Sequence, residues 1–178
     1  MRVWTLGLLA ALFFASAVAG PPIDFTPHGT QPGLLTGLQS STSCSGCHGG
    51  FSEPDESFMP GNTWGASLMA NATRDPLFWA ALDVANRDVP GIGDWCLRCH
   101  TSQGWYGGRV RKTTTGGLID GTNGCSLTGD HDNPDATNND YGGVTCFYCH
   151  RMQPSGPAGQ LAPPGSGNAW LNDDTSCN

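Results

Sequence analysis

The sequence predicts a mainly α chain with irregular loops and little β, packed around bound groups more than around its own aliphatic side chains. Three observations lead there. The 178 residues include 26 Gly and 13 Pro. Such a chain buries too little side-chain surface to offset its conformational entropy unaided. The best periodic stretch, Leu77, Phe78, Ala81, Leu82 and Ala85, has helical spacing. Six of the eight cysteines fall into three copies of Cys-x-x-Cys-His, a pattern that can staple a loop-rich chain.

The elements follow in chain order. Residues 1–19 read as a secretory signal peptide. Arg2 supplies the basic start, Leu6 to Phe14 the apolar stretch, and Ala15-Ser16-Ala17-Val18-Ala19 the small residues before cleavage. The apolar stretch is short of the roughly 20 residues that a spanning helix needs. No later segment is apolar enough, so a membrane-spanning protein is not expected. Residues 20–43 are rich in Pro, Gly, Ser and Thr and read as an extended arm. Residues 44–153 hold the three motifs and form the expected domain. Within it, Asn62 is expected to cap a helix running through Trp64, Leu68 and Met69. Asp75-Pro76 starts a second helix, with Asp as cap and Pro at the first helical position, and Pro90-Gly91 ends it. Asp94 is expected to cap the helix of the second motif. Gly117 to Ile119 and Val144-Thr145 are the segments that could join a small sheet. Residues 154–178 are a Pro- and Gly-rich tail, read as a wrapping loop or a linker. The tail ends in Thr175-Ser176-Cys177-Asn178, which echoes Thr42-Ser43-Cys44-Ser45. That echo is compatible with a truncated copy of a longer protein.

The motifs are Cys44-Ser45-Gly46-Cys47-His48, Cys96-Leu97-Arg98-Cys99-His100 and Cys146-Phe147-Tyr148-Cys149-His150. Their first cysteines are 52 and 50 residues apart. Chance gives one such pentapeptide about once in a hundred chains, and three on the order of once in a million, so the pattern is selected. Cys-x-x-Cys-His is the attachment site of c-type haem. Each thiol adds to one haem vinyl group, and the next residue turns its imidazole to the iron as the proximal ligand. Three haem c groups are therefore expected, on Cys44 and Cys47, Cys96 and Cys99, and Cys146 and Cys149. His48, His100 and His150 are the expected proximal ligands. Zinc sites pair two Cys-x-x-Cys units or join one to distant histidines, and three units do not pair. A thioredoxin-like site does not account for a histidine after every pair.

Three irons leave three distal positions. The only other histidines are His28 and His131, so both are candidates. Met69, placed on the expected helix, is the third, and Met59 and Met152 are its alternatives. A thioether raises the reduction potential relative to a second imidazole. His131 also lies among Asp130, Asp132, Asn133, Asp135, Asn138, Asn139 and Asp140, whose alternating oxygens are compatible with Ca²⁺, although the full EF-hand pattern is absent. Cys125 and Cys177 remain. They form the expected disulfide of an oxidising compartment, or Cys177 opens a further motif. Arg87, Arg98, Arg109, Arg111 and Lys112 either compensate haem propionates or form a solvated basic face. The chain carries fifteen Asp and Glu against eight Lys and Arg. Nucleic acid is therefore not an expected partner.

The chain resembles the multihaem c-type cytochromes of bacteria and archaea. Within that class, a subset of exported cytochromes resembles it over about residues 60–155. Trp64-Gly65-Ala66-Ser67-Leu68-Met69-Ala70 and Arg74-Asp75-Pro76-Leu77-Phe78 are similar to a shared helical segment. Asp94-Trp95-Cys96 to Gly104-Trp105, with Gly107 and Arg109, and Gly143-Val144-Thr145-Cys146 to His150-Arg151-Met152 are similar to its second and third haem sites. The resemblance implies a small haem-packed multihaem cytochrome c fold. It also implies electron transfer in the periplasm or outside the cell. The expected protein is thus an electron carrier and not an enzyme. Its partners would be other redox proteins or extracellular electron acceptors, with self-assembly or a larger cytochrome complex as further arrangements. The alternatives are a multihaem reductase or oxidase with one open-coordinated haem, and a subunit of a polymeric haem wire. Ser45-Gly46 is small and Phe147-Tyr148 bulky, so the first haem is expected to be the more exposed and the exchange point for electrons.

Overall fold

The computed structural model describes residues 31, 34–50, 56–90, 92–110, 127–155, 159 and 170–173. The expected signal peptide, His28, Arg111, Lys112, Gly117 to Ile119, Cys125 and Cys177 lie outside them. The described chain is mostly helical with little strand, as expected. Its helices are α1 (Thr42–His48), α2 (Pro60–Thr63), α3 (Pro76–Asp88), α4 (Gly93–His100), α5 (Ser102–Tyr106) and α6 (Cys146–His150). Single 3-10 turns occupy Glu56–Phe58, Trp64–Ala66 and Asp140–Gly142. Among the described residues, no helix is long and apolar enough to cross a membrane.

The longest helix forms as its sequence dictates. The Asp75 carboxylate accepts from the Leu77 N–H at 2.9 Å, and Pro76 occupies the first helical position, where its missing N–H costs nothing. The helix stops at Asp88, just before Val89-Pro90. The expected helix through Met69 does not form. α2 is a single turn, Trp64–Ala66 is 3-10, and residues 68–74 are turns. Glycines at 61 and 65 weaken helix propensity there. Asn62 sits inside α2 and is not its cap. Its side-chain amide donates instead to the carbonyls of Gly49 and Glu56, at 2.7 and 2.6 Å. Asp94 likewise lies inside α4, whose N-cap position is Ile92.

The strand expectation needs the same correction. Val144-Thr145 is not a strand. The two described strands are β1 (Met152–Gln153) and β2 (Trp170–Leu171), paired antiparallel with Met152 opposite Leu171. This pair brings part of the tail back beside α6. Arg151, 2% exposed, locks it there. Its guanidinium donates to the carbonyls of Gly37 at 3.0 Å and Thr36 at 2.9 Å in the arm, and of Asn172 in the tail. Gln31 adds a two-way bond to the Leu171 backbone, at 2.8 and 2.6 Å. The described parts of arm and tail are therefore built into the core.

That core centres on Trp105, with Leu82, Leu97, Val110, Phe147 and Trp170 around it. Behind it lies Asp140, fully buried. It takes a bidentate bond from Arg109, at 2.6 and 2.5 Å, and further bonds from Thr128 N–H and hydroxyl, at 2.9 and 3.1 Å. A buried carboxylate is tolerable only when satisfied in this way. The Asp140 carbonyl accepts from Thr101 at 2.9 Å, which ties the residue to the end of α4. Gly143, at φ +64°, then lets the chain pass the backbone of Met69 and Ala70, with which a Cβ would collide. These contacts set the second and third motifs side by side.

Candidate functional site

The second motif is the most enclosed. On α4 the two residues between the cysteines, Leu97 and Arg98, point inward at 0% and 1% exposure. The Arg98 guanidinium lies 4.5 Å from the Trp95 ring and 4.8 Å from Trp105. Cys96, Cys99 and His100 thereby turn to the opposite side of the helix, towards α3. Phe78, Ala81, Leu82 and Ala85 of α3 and Trp95, Cys96, Cys99 and His100 of α4 line a cavity of about 380 Å³. Of the five periodic residues that predict α3, four line this cavity, and Leu77 faces away from it.

His100 is oriented from behind. Its Nδ1 lies 3.1 Å from the Ala72 carbonyl, which fixes Nδ1 as the protonated nitrogen and leaves Nε2 as the ligating one. The imidazole stacks on Phe78 with ring centres 3.7 Å apart and planes 2° off parallel. Thr73 bonds the His100 carbonyl. Two thiols, one oriented imidazole and an apolar cavity suit a flat apolar group attached at both sulfurs and ligated at Nε2. The donor set therefore fits haem c. Burial pushes the Cys96 thiol up, with Cys99 adding to the effect, against a backbone hydrogen bond that lowers it. A reactive redox cysteine needs the opposite shift.

The third motif is α6. Phe147 and Tyr148 are buried, whereas Cys149 and His150 are exposed. The Tyr148 phenol reaches Cys99 of the second motif, Oη to Sγ 3.6 Å. Burial, and then Tyr106, hold that phenol above the usual tyrosine range. The first motif is α1, in which no residue is fully buried. Cys44 packs against the core, while Cys47 and His48 face solvent. The Ser41 hydroxyl, just before α1, accepts from the Cys146 N–H at 3.2 Å. The third motif thus touches the second through a side chain and adjoins the first through a helix start.

The distal candidates are placed less tightly. His131 is exposed, with Nδ1 2.9 Å from Asp132 and its ring 5.2 Å from Tyr141. Met69 lies in a turn, half exposed, and its carbonyl accepts from the Val144 N–H at 3.0 Å. Met59 is buried and Met152 lies exposed in β1. The oxygen-rich loop around His131 spends several of its acceptors internally. Asp130 takes the Asp132 N–H, Asn133 the Asp135 N–H, and Asn139 the N–H groups of Asp130 and Tyr141. Among the described residues, no three His, Cys, Asp or Glu side chains cluster around a metal position. Of the basic residues, Arg109 is committed to Asp140, Arg98 is buried between tryptophans, and Arg87 is exposed.

The structural roles of four residues that shape the sites escaped the sequence reading. Ala72 acts through its carbonyl and leaves no side-chain signal. Asp140 is hidden in a run of Asn and Asp. Arg151 matters through contacts more than a hundred residues away in sequence, and Trp170 through its burial in the core shared with Leu82, Leu97 and Trp105. The chain matches no family of known proteins, no characterised protein and no solved structure.

Proposed function

We propose that the chain is an exported trihaem c-type cytochrome that transfers electrons between redox partners by hopping through closely spaced haems. One observation carries the reading most. Three Cys-x-x-Cys-His helices pack around one core, and the third adjoins both others. Cys44, Cys47, Cys96, Cys99, Cys146 and Cys149 would hold the haems, and His48, His100 and His150 would be the proximal ligands. Bound haem supplies a one-electron couple at each iron. The protein's own part is to orient and to enclose. The Ala72 carbonyl aims His100, α3 walls one side of the second site, and Tyr148 spans the second and third. The exposed face of α1, with Cys47 and His48, is the side on which a partner would meet the first haem.

The fit of donors to haem leaves the distal ligands as the point that separates carrier from enzyme. His28, His131 and Met69 are the proposed distal set. The test is expression with c-type haem maturation, followed by intact mass, peptide mapping and redox titration. Three haems on the three motif peptides, each titrating reversibly, are expected. A chain that returns with unmodified motif cysteines overturns the reading. Carbon monoxide binding to one reduced iron would move it to a reductase or oxidase with an open-coordinated haem.

A further inference from the structure

Tyr148 belongs to the third motif, yet its hydroxyl serves the second. The residue is 3% exposed, and a phenol so buried needs a partner. Its partner is Cys99 Sγ, 3.6 Å away and 49 residues distant in sequence. The Tyr106 ring, centred 5.9 Å from that of Tyr148, helps to fix the phenol.

While Cys99 carries a thiol, either atom can donate. Attachment removes that ambiguity. When the thiol adds across a vinyl C=C, its S–C bond forms and its hydrogen passes to the second vinyl carbon. No electron is gained or lost. A thioether sulfur has no hydrogen and can only accept, so the phenol becomes the donor.

We infer that Tyr148 is a positioning residue whose O–H bonds the Cys99 thioether sulfur and raises the reduction potential of the second haem from within the third motif. The inference rests on the haem reading above. The positive end of the O–H dipole, held at the edge of that haem in a desolvated place, favours the reduced form, which carries one positive charge less. The consequence is an uneven pair. The second haem holds its electron more tightly than its unassisted ligands would dictate.

The experiment compares the haem-loaded wild type with Tyr148→Phe, which keeps the ring and deletes the donor. Intact mass comes first. Fewer than three haems on the wild type would overturn the haem reading itself, independently of Tyr148. With three haems on both proteins, spectroelectrochemical titration should show one midpoint moved down and two unmoved. The expected shift is about threefold in the reduction equilibrium, ~28 mV at 59 mV per decade for one electron. Unmoved midpoints in a fully loaded variant overturn the inference. A second readout needs no variant. The thioether C–S stretch in the resonance Raman spectrum of the wild type should shift when the phenol exchanges in D₂O. An insensitive band overturns the inference even where Tyr148→Phe loses haem.

Discussion

The first and second motifs share one pattern and differ in what surrounds it. At the second, α3 lies across the cysteine face of α4 and leaves a cavity of about 380 Å³. At the first, α1 has no fully buried residue, and Cys47 and His48 face solvent. The difference begins inside the motifs. Leu97 and Arg98 bury themselves and so anchor α4 on the core, turning its thiols towards α3. Ser45 and Gly46 offer the core little apolar surface, and α1 is held by Cys44 and by its ends. The five-residue pattern thus sets the chemistry, and the two variable residues set how far water is excluded. The third motif divides the two behaviours, with Phe147 and Tyr148 buried but Cys149 and His150 open. On the haem reading proposed above, a low-dielectric surrounding and solvent exposure both tune potential, so the sites should not be equivalent.

The largest expected effect lies behind the second motif. Asp140→Ala would strand the Arg109 guanidinium and leave Thr128 without its acceptor. Removing one member of a buried ion pair costs 3–5 kcal/mol. The Arg109 side chain is 34% exposed, which places this case at the lower end, about 3 kcal/mol. Guanidinium denaturation followed by circular dichroism measures it. The comparison predicts more than a loss of stability. Haem attachment during maturation should fall at the peptide carrying Cys96 before the one carrying Cys44, since the Asp140 carbonyl accepts from Thr101 at the end of α4. Equal losses at all three would break the distinction between an enclosed and an open site.

A smaller effect tests the wall itself. Leu82, 2% exposed, lines the cavity from α3 and joins the core. Leu82→Ala should cost about 2 kcal/mol, near the lower limit for such truncations because the site already borders open space. Its mark should be local, with the midpoint of one haem displaced and the others held. Leu77, 77% exposed on the same helix, is the matched control and should change neither stability nor midpoint.

How much of this was legible in the sequence differs by kind of signal. The thiol and imidazole positions were written out in three short motifs, and α3 was announced by Asp75-Pro76 and its apolar period. Both signals are local, and the structure of α3 agrees with its sequence at both ends. The helix through Met69 does not form because the glycines at 61 and 65 oppose the apolar spacing and the backbone around Met69 serves Val144 instead. Long-range pairings had no local signature. Nothing near Trp170 says that it pairs opposite Gln153, and nothing near Arg109 says which of the many acids in 130–140 it will choose. The basic stretch read as a unit came apart for that reason. Arg109 turned to a buried acid and Arg98 to two indoles, while Arg87 stayed in water.

The smallest effect is also the most direct measure of the contrast, because one substitution can be made in both helices. Gly46 lies in α1 between Cys44 and Cys47, and a Cβ there would meet nothing within 4 Å. Gly93 opens α4, where a Cβ would stand 2.7 Å from Leu82 Cδ1 and 2.8 Å from Asn86 Nδ2. Alanine favours helix by roughly 0.5–1 kcal/mol over glycine, so Gly46→Ala should leave the protein unchanged or stabilise it by up to that amount. At Gly93 the same propensity is opposed by crowding, which costs typically 1–3 kcal/mol in a packed place. The net should be a loss of about 1 kcal/mol, together with a disturbed second haem, because the Leu82 and Asn86 side chains must shift to admit the methyl group. Denaturant midpoints of the two loaded variants decide it. Opposite signs uphold an open first site and an enclosed second one. A loss of equal size at Gly46 would mean that α1 is packed as closely as α4, and the difference between the two sites would have to be sought in their distal ligands.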